Sequence, residues 1–171
     1  MSGKTPIIGL SGAILAIAAQ LFLSPMLTIG GATPNFLLSF FVPYSLLSSP
    51  NPKLFLGIVL GLVFDFTQGG PVGAYLLLFT VLSVAIPFFT SNLDRSNQGS
   101  QILAITLLII ATNILNIIFV SIATPAISLI SLVQSGALWE VLFDCGIAIL
   151  FYVILATFLK DKRTVPTMFG S

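Results

Sequence analysis

Histidine is absent from this 171-residue sequence. That absence removes a His general base, a Ser–His–Asp triad and an HExxH zinc site. Cysteine occurs once, at Cys145, so there is no intrachain disulfide and no CxxC cluster. No GxxxxGK[ST] loop is present, which excludes a P-loop. Charge is scarce: six Lys or Arg and five Asp or Glu make up 6% of the residues, with a net charge of +1. An ordinary soluble domain carries about 25% charged residues. A near-neutral chain with no basic run has no nucleic-acid footprint. No cofactor and no metal set is expected. What the chain does have is apolar surface: 57% of its residues are hydrophobic. Residues 5–52 and 96–139 contain no Asp, Glu, Lys or Arg at all.

These numbers predict an integral membrane protein, with the lipid bilayer as its solvent. Its length leaves room for about six spans of ~20 residues each and little else. The expected fold class is therefore an all-α, polytopic membrane helix bundle, a single transmembrane domain over 1–171. Apolar runs and breakers place the six transmembrane helices at 7–27, 34–49, 53–68, 71–91, 101–123 and 137–159. Pro34 suits a first helical turn, and Pro43 and Pro87 predict kinks. Pro50-Asn51-Pro52 and Gly69-Gly70-Pro71 are the breakers. Residues 126–136 are too short to span and read as an interfacial segment. The second and third spans are short and need little tilt or covered ends.

Six crossings put Lys4, Lys53, Arg95, Lys160, Lys162 and Arg163 all on one side. The positive-inside rule then makes both termini cytoplasmic. Lys4 followed by an apolar run and Ala16-Ile17-Ala18 also has the outline of a secretory signal peptide. The apolar run continues past that site, which favours a span.

The most informative stretch is a period of four: Gly57, Gly61, Asp65, Gly69 and Gly73. Positions four apart share a helix face, so Gly57 and Gly61 form a smooth groove. Such a groove admits a close-packed helix, either from the same bundle or from a partner. Pro34-Asn35, an apolar span, and then Gly-x-x-x-Gly-Leu-x-x-Asp-x-x-x-Gly-x-Pro-x-Gly resemble the rod shape-determining protein MreD family. In this chain the block runs from Gly57 through Gly61, Asp65, Gly69 and Pro71 to Gly73, and the resemblance covers about residues 33–85.

The resemblance implies a non-enzymatic membrane component of the complex that directs lateral cell-wall growth and peptidoglycan synthesis in rod-shaped bacteria. Its implied partners are MreC, the actin-like MreB, the glycosyltransferase RodA and a transpeptidase. The family is also similar to the six-helix substrate-binding subunits of energy-coupling-factor vitamin transporters. A small-molecule-binding subunit is therefore the rival reading, with a cavity near Asp65, Asn113 and Asp144. An intramembrane enzyme lacks any nucleophile–base pair.

Three acids lie far from every cation. Asp65 is about 18 Å along a helix from Lys53, and Asp144 about 24 Å from Lys160. Glu140 shares a face with Asp144. A lone carboxylate at a helix centre costs about 2.5–3.5 kcal/mol on insertion scales. It can be protonated, hydrated, or bonded to backbone N–H groups. For Asp65 the last is expected, because the first N–H groups of the following helix lack intrahelical partners. Glu140 suits a helix N-terminus. Asn113 and Asn116, three apart, are expected to make interhelical hydrogen bonds or to line a ligand cavity, as is Asp144. Gln20 and Thr112 are further polar residues in apolar runs. Trp139 reads as an interface anchor and Cys145 as a small filler.

Overall fold

A computed structural model describes residues 4–28, 32–48, 50–68, 73–90, 97–123 and 136–160. Among these the chain forms six α-helices. They are α1 (Lys4–Phe22), α2 (Phe36–Leu47), α3 (Pro50–Gln68), α4 (Ala74–Thr90), α5 (Gln98–Ala123) and α6 (Leu138–Lys160), with a 3-10 turn at Pro25–Leu27 after α1. The expected loop at 91–96, the tail beyond 160, Gly69, Gly70, Pro71 and most of the 126–136 segment lie outside the described residues.

Proline chemistry sets several boundaries differently from the sequence expectation. Pro34 does not open α2; it precedes the N-cap, Asn35, whose side chain accepts the Leu38 N–H at 2.9 Å. Asn is among the strongest N-cap residues, and it takes the position from proline. Pro50-Asn51-Pro52 breaks the chain where expected, yet these residues form the first turn of α3. Proline needs no N–H partner there. Lys53 thus lies within α3, not in a turn, and is buried. α2 and α4 run through Pro43 and Pro87 as single elements.

α2 is only 12 residues long, and Phe36 through Ser45 are all buried. A helix apolar on every side belongs in a core, and α2 packs against all five others. Its aromatics make the joints. Phe40 stacks on Tyr44 at 5.7 Å and meets Phe151 of α6 edge-on at 5.6 Å, while Phe41 lies 5.2 Å from Phe79 of α4. On the α1 side, Gly9 and Gly12 leave the space that the Tyr44 and Phe40 rings fill.

The outer surface is the inverse of a soluble protein's. Leucine, isoleucine and phenylalanine side chains of α1, α3, α4, α5 and α6 stand exposed. α5 and α6 are long and apolar enough to cross a membrane, and only 22% and 28% of their apolar windows are buried. That low burial separates them from the core helices of a soluble domain, which rarely exposes large apolar patches. α1, α2 and α4 contain shorter apolar stretches.

Candidate functional site

Polar chemistry collects at one end of the bundle, where α1, α3 and α5 finish and α2, α4 and α6 begin. It comprises two helix starts, each closed by an aspartate from another helix.

The first is the α3–α4 hairpin. The Asp65 carboxylate accepts the N–H groups of Gly73 at 3.0 Å, Tyr75 at 2.9 Å and Leu76 at 3.0 Å. These donors sit at and just before the first turn of α4, where N–H groups have no intrahelical partner. Gly73 can turn into α4 this way because its φ of +96° suits glycine and few other residues. The reach of Asp65 across the hairpin is the one its spacing predicts. The Gly57/Gly61 groove lies beneath it. A Cβ at Gly61 would meet Leu76 Cα at 2.7 Å and the Tyr75 carbonyl oxygen at 2.8 Å. At Gly57 it would run into the Ser83 hydroxyl and lie 3.1 Å from the Phe79 carbonyl oxygen. The groove is therefore filled by this chain's own α4. The alternative of an open seat for a partner helix is corrected: the glycines exist to let α3 and α4 approach closely.

The second is the start of α2. The Asn35 N–H donates to Asp144 of α6 at 2.7 Å, and the Phe36 N–H to the Gln20 side-chain oxygen of α1 at 2.8 Å. Gln20 donates in turn to Ser24 at 3.2 Å, and the Ser24 hydroxyl donates to the Pro34 carbonyl at 3.0 Å. Glu140 lies in the first turn of α6. Ser39 closes the set by donating to the Asp144 carbonyl oxygen at 3.1 Å. Each of these backbone groups around the buried start of α2 has a side-chain partner, as burial requires.

α5 joins the two. Asn113 donates to Asp144 at 3.4 Å and to the Ile109 carbonyl at 3.1 Å, while Asn116 donates to the Tyr75 hydroxyl at 3.1 Å. Asn113, Asn116 and Asp144 are thus engaged within the bundle. Ser24, Ser39 and Tyr75 were not singled out by sequence. Ser24 had a signal, standing four residues after Gln20 on one face of an apolar run. At the opposite end Tyr152 donates to Gln101 at 3.0 Å, both buried. Cys145 is a free, half-buried thiol. Among the described residues no group of three His, Cys, Asp or Glu could hold a metal ion.

A family model for the rod shape-determining protein MreD matches residues 5–162. The chain belongs to the MreD family. MreD proteins are membrane proteins of rod shape determination, and the family is not a known enzyme family. It is associated with the MreB/MreC shape-determining system. No curated protein and no solved structure matches the chain. The match extends the likeness from about residues 33–85 to nearly the whole chain, including α1, α5 and α6.

Proposed function

We propose that this chain is a non-enzymatic, multi-pass scaffold of the bacterial cell-wall elongation complex. It crosses the plasma membrane six times with both termini cytoplasmic, and the polar end described above faces outward. It engages MreC, and through it the MreB, RodA and transpeptidase assembly, by helix contacts. The observation that carries the reading is the MreD match across residues 5–162, laid on a chain whose outer helix faces are apolar. The side chains that a small-molecule site would need, Asp65, Asn113 and Asp144, bond to this chain's own backbone and amides instead. That favours a structural over a ligand-binding use, and it weakens the transporter-subunit reading.

The test is a pull-down from native membranes with mass spectrometry, paired with depletion. Recovery of MreC and rounding of depleted cells support the scaffold. Recovery of an ATPase module with a retained small ligand, and unchanged cell shape, would sink it. Orientation is read separately, by thiol labelling from outside the cell at Thr67→Cys in a Cys145→Ala background. Labelling there fits the outward polar end.

A further inference from the structure

The central helix, α2, is secured unevenly. Its first half is clasped by its neighbours. The Asn35 N–H donates to Asp144, the Phe36 N–H to Gln20, and the Ser39 hydroxyl to the Asp144 carbonyl. From Phe40 to Ser48, among the described residues, no hydrogen bond reaches another element. Ring contacts to other helices also stop early. Phe40 meets Phe151 and Phe41 meets Phe79, whereas the Tyr44 ring stacks on Phe40 of its own helix. Between the two halves stands Pro43. Proline has no N–H to give the Ser39 carbonyl one turn back, so one rung of the helix ladder is missing at the midpoint. Sharp bends in helices arise at such positions.

The second half also holds a polar group that its surroundings do not satisfy. Four serine or threonine hydroxyls are buried within α-helices among the described residues. Ser83 donates to the Phe79 carbonyl at 2.7 Å, Thr112 to the Leu108 carbonyl at 2.7 Å, and Ser39 to the Asp144 carbonyl at 3.1 Å. Ser45, 1% exposed, has no partner. An orphaned buried hydroxyl weights its state down by about fivefold or more. Water would satisfy it, and water is near: Leu46, Leu47 and Ser48 are only half-buried. We infer that α2 is hinged at Pro43. The turn Tyr44–Leu47 swings out at the end of the bundle opposite the polar one and hydrates Ser45, while Phe36–Val42 stays clasped. The device does not depend on the orientation or the partners proposed above. In the closed state the Tyr44 ring occupies space that only a glycine at position 9 leaves open. α3 begins at Pro50, two residues after the α2 C-cap Ser48, so the swing is handed to the head of α3.

Amide hydrogen exchange on the full-length protein in lipid nanodiscs is the test. Exchange at Tyr44–Leu47 is compared with exchange at Leu38–Phe41. Ser45→Ala removes the orphan and should slow Tyr44–Leu47 by about fivefold or more, leaving Leu38–Phe41 unchanged. The better helix propensity of alanine over serine accounts for only about twofold. A change of twofold or less, or faster exchange, overturns the inference, because the hydroxyl then costs the closed state nothing. Pro43→Ala restores the missing rung and should also slow Tyr44–Leu47. Gly9→Ala acts in the opposite sense: its methyl enters the space of the Tyr44 ring, and exchange at Tyr44–Leu47 should rise while Leu38–Phe41 holds. If both segments speed up together, α2 moves as one rod and there is no hinge.

Thiol chemistry reads the open state directly. Ser45→Cys in a Cys145→Ala background is treated with a water-soluble maleimide, with both faces of the nanodisc open to the reagent. The closed structure buries this position, so labelling reports the swing, and adding Pro43→Ala should slow it severalfold. A thiol at position 45 that stays unlabelled while Thr67→Cys reacts overturns the inference. Labelling that is indifferent to Pro43→Ala overturns it as well.

Discussion

The starts of α4 and α2 present the same problem and receive the same solution at different range. Both are buried helix N-termini with N–H groups that nothing within the helix can bond. Both are closed by an aspartate from another helix. Asp65 reaches donors 8 to 11 residues along the chain, and it takes three of them. Asp144 reaches a donor 109 residues away, shares the site with Gln20, and takes a single backbone N–H at 2.7 Å. The local site is one residue doing everything. The distant site is a committee in which α1 and α6 each contribute. Loss of one member should therefore be more damaging at the first site than at the second.

The largest effect is expected for Asp65→Ala. It orphans three donors, each costing about 1–3 kcal/mol when left unpaired, so a loss of at least about 3 kcal/mol follows. Amide exchange at Tyr75 and Leu76 should accelerate with it. Asp65→Asn recovers only part. One carboxylate oxygen serves Gly73 and Leu76 and the other serves Tyr75, so an amide keeps one side and turns its own N–H against the other. Equal stability of wild type, Asp65→Ala and Asp65→Asn in equilibrium unfolding would refute the cap. Asp144→Ala should cost less, about 2–3 kcal/mol. Here Asp144→Asn should restore nearly all of it. Its oxygen still meets the Asn35 N–H, and only the long 3.4 Å contact to Asn113 is lost, because the Asn113 amide nitrogen stays turned to the Ile109 carbonyl. A poor rescue at 144 and a full one at 65 would invert the comparison.

This difference in range also explains what could be read without a structure. Asp65 was legible because its partners lie across one turn, and a four-residue period points straight at them. The membrane class was legible from charge and apolar content, and the helix count followed from breakers. The second cap was not legible. Asp144 is stranded in the sequence because its partner is the backbone N–H of Asn35, and a backbone N–H carries no sequence signature. α2 is shorter than its apolar run for a related reason. Its apolar run extends through Pro34 to Ser49, and nothing in hydropathy says that Asn35 will cap it or that its neighbours will enclose it. Hydropathy gives Gly9 and Gly12 no role in their apolar run; in the structure they are the clearance for two aromatic rings.

Next in size is the pair of glycines that bring the Asp65 site within reach. Gly61→Ala drives a methyl against Leu76 Cα and the Tyr75 carbonyl, backbone atoms that cannot rotate away. Overpacking of this kind costs about 1–3 kcal/mol. Gly57→Ala meets chiefly the Ser83 hydroxyl, which is free to turn, so its cost should be smaller. Thermal unfolding in detergent orders the two. If Gly61→Ala left the fold intact and abolished only MreC recovery, the groove would be a partner surface after all, and the internal assignment would fall.

The smallest effect decides whether the two caps are independent. Asn116 on α5 donates to the Tyr75 hydroxyl, and Tyr75 is both a donor to Asp65 and an edge-on neighbour of Phe64 at 4.3 Å. Three residues earlier on the same helix, Asn113 holds Asp144. α5 is thus the bridge between the sites. Interhelical hydrogen bonds inside membranes contribute about 0.6 kcal/mol on average. Asn116→Leu and Tyr75→Phe should each cost about that much, and the double variant no more than either alone, because both remove one bond. A loss well above 2 kcal/mol for Asn116→Leu, or slower amide exchange at Asn35 when Asp65 is intact than when it is replaced, would mean that strain passes along α5 from one cap to the other. The two starts would then be one site, and the single-residue economy of the first would be an illusion created by its support from the second.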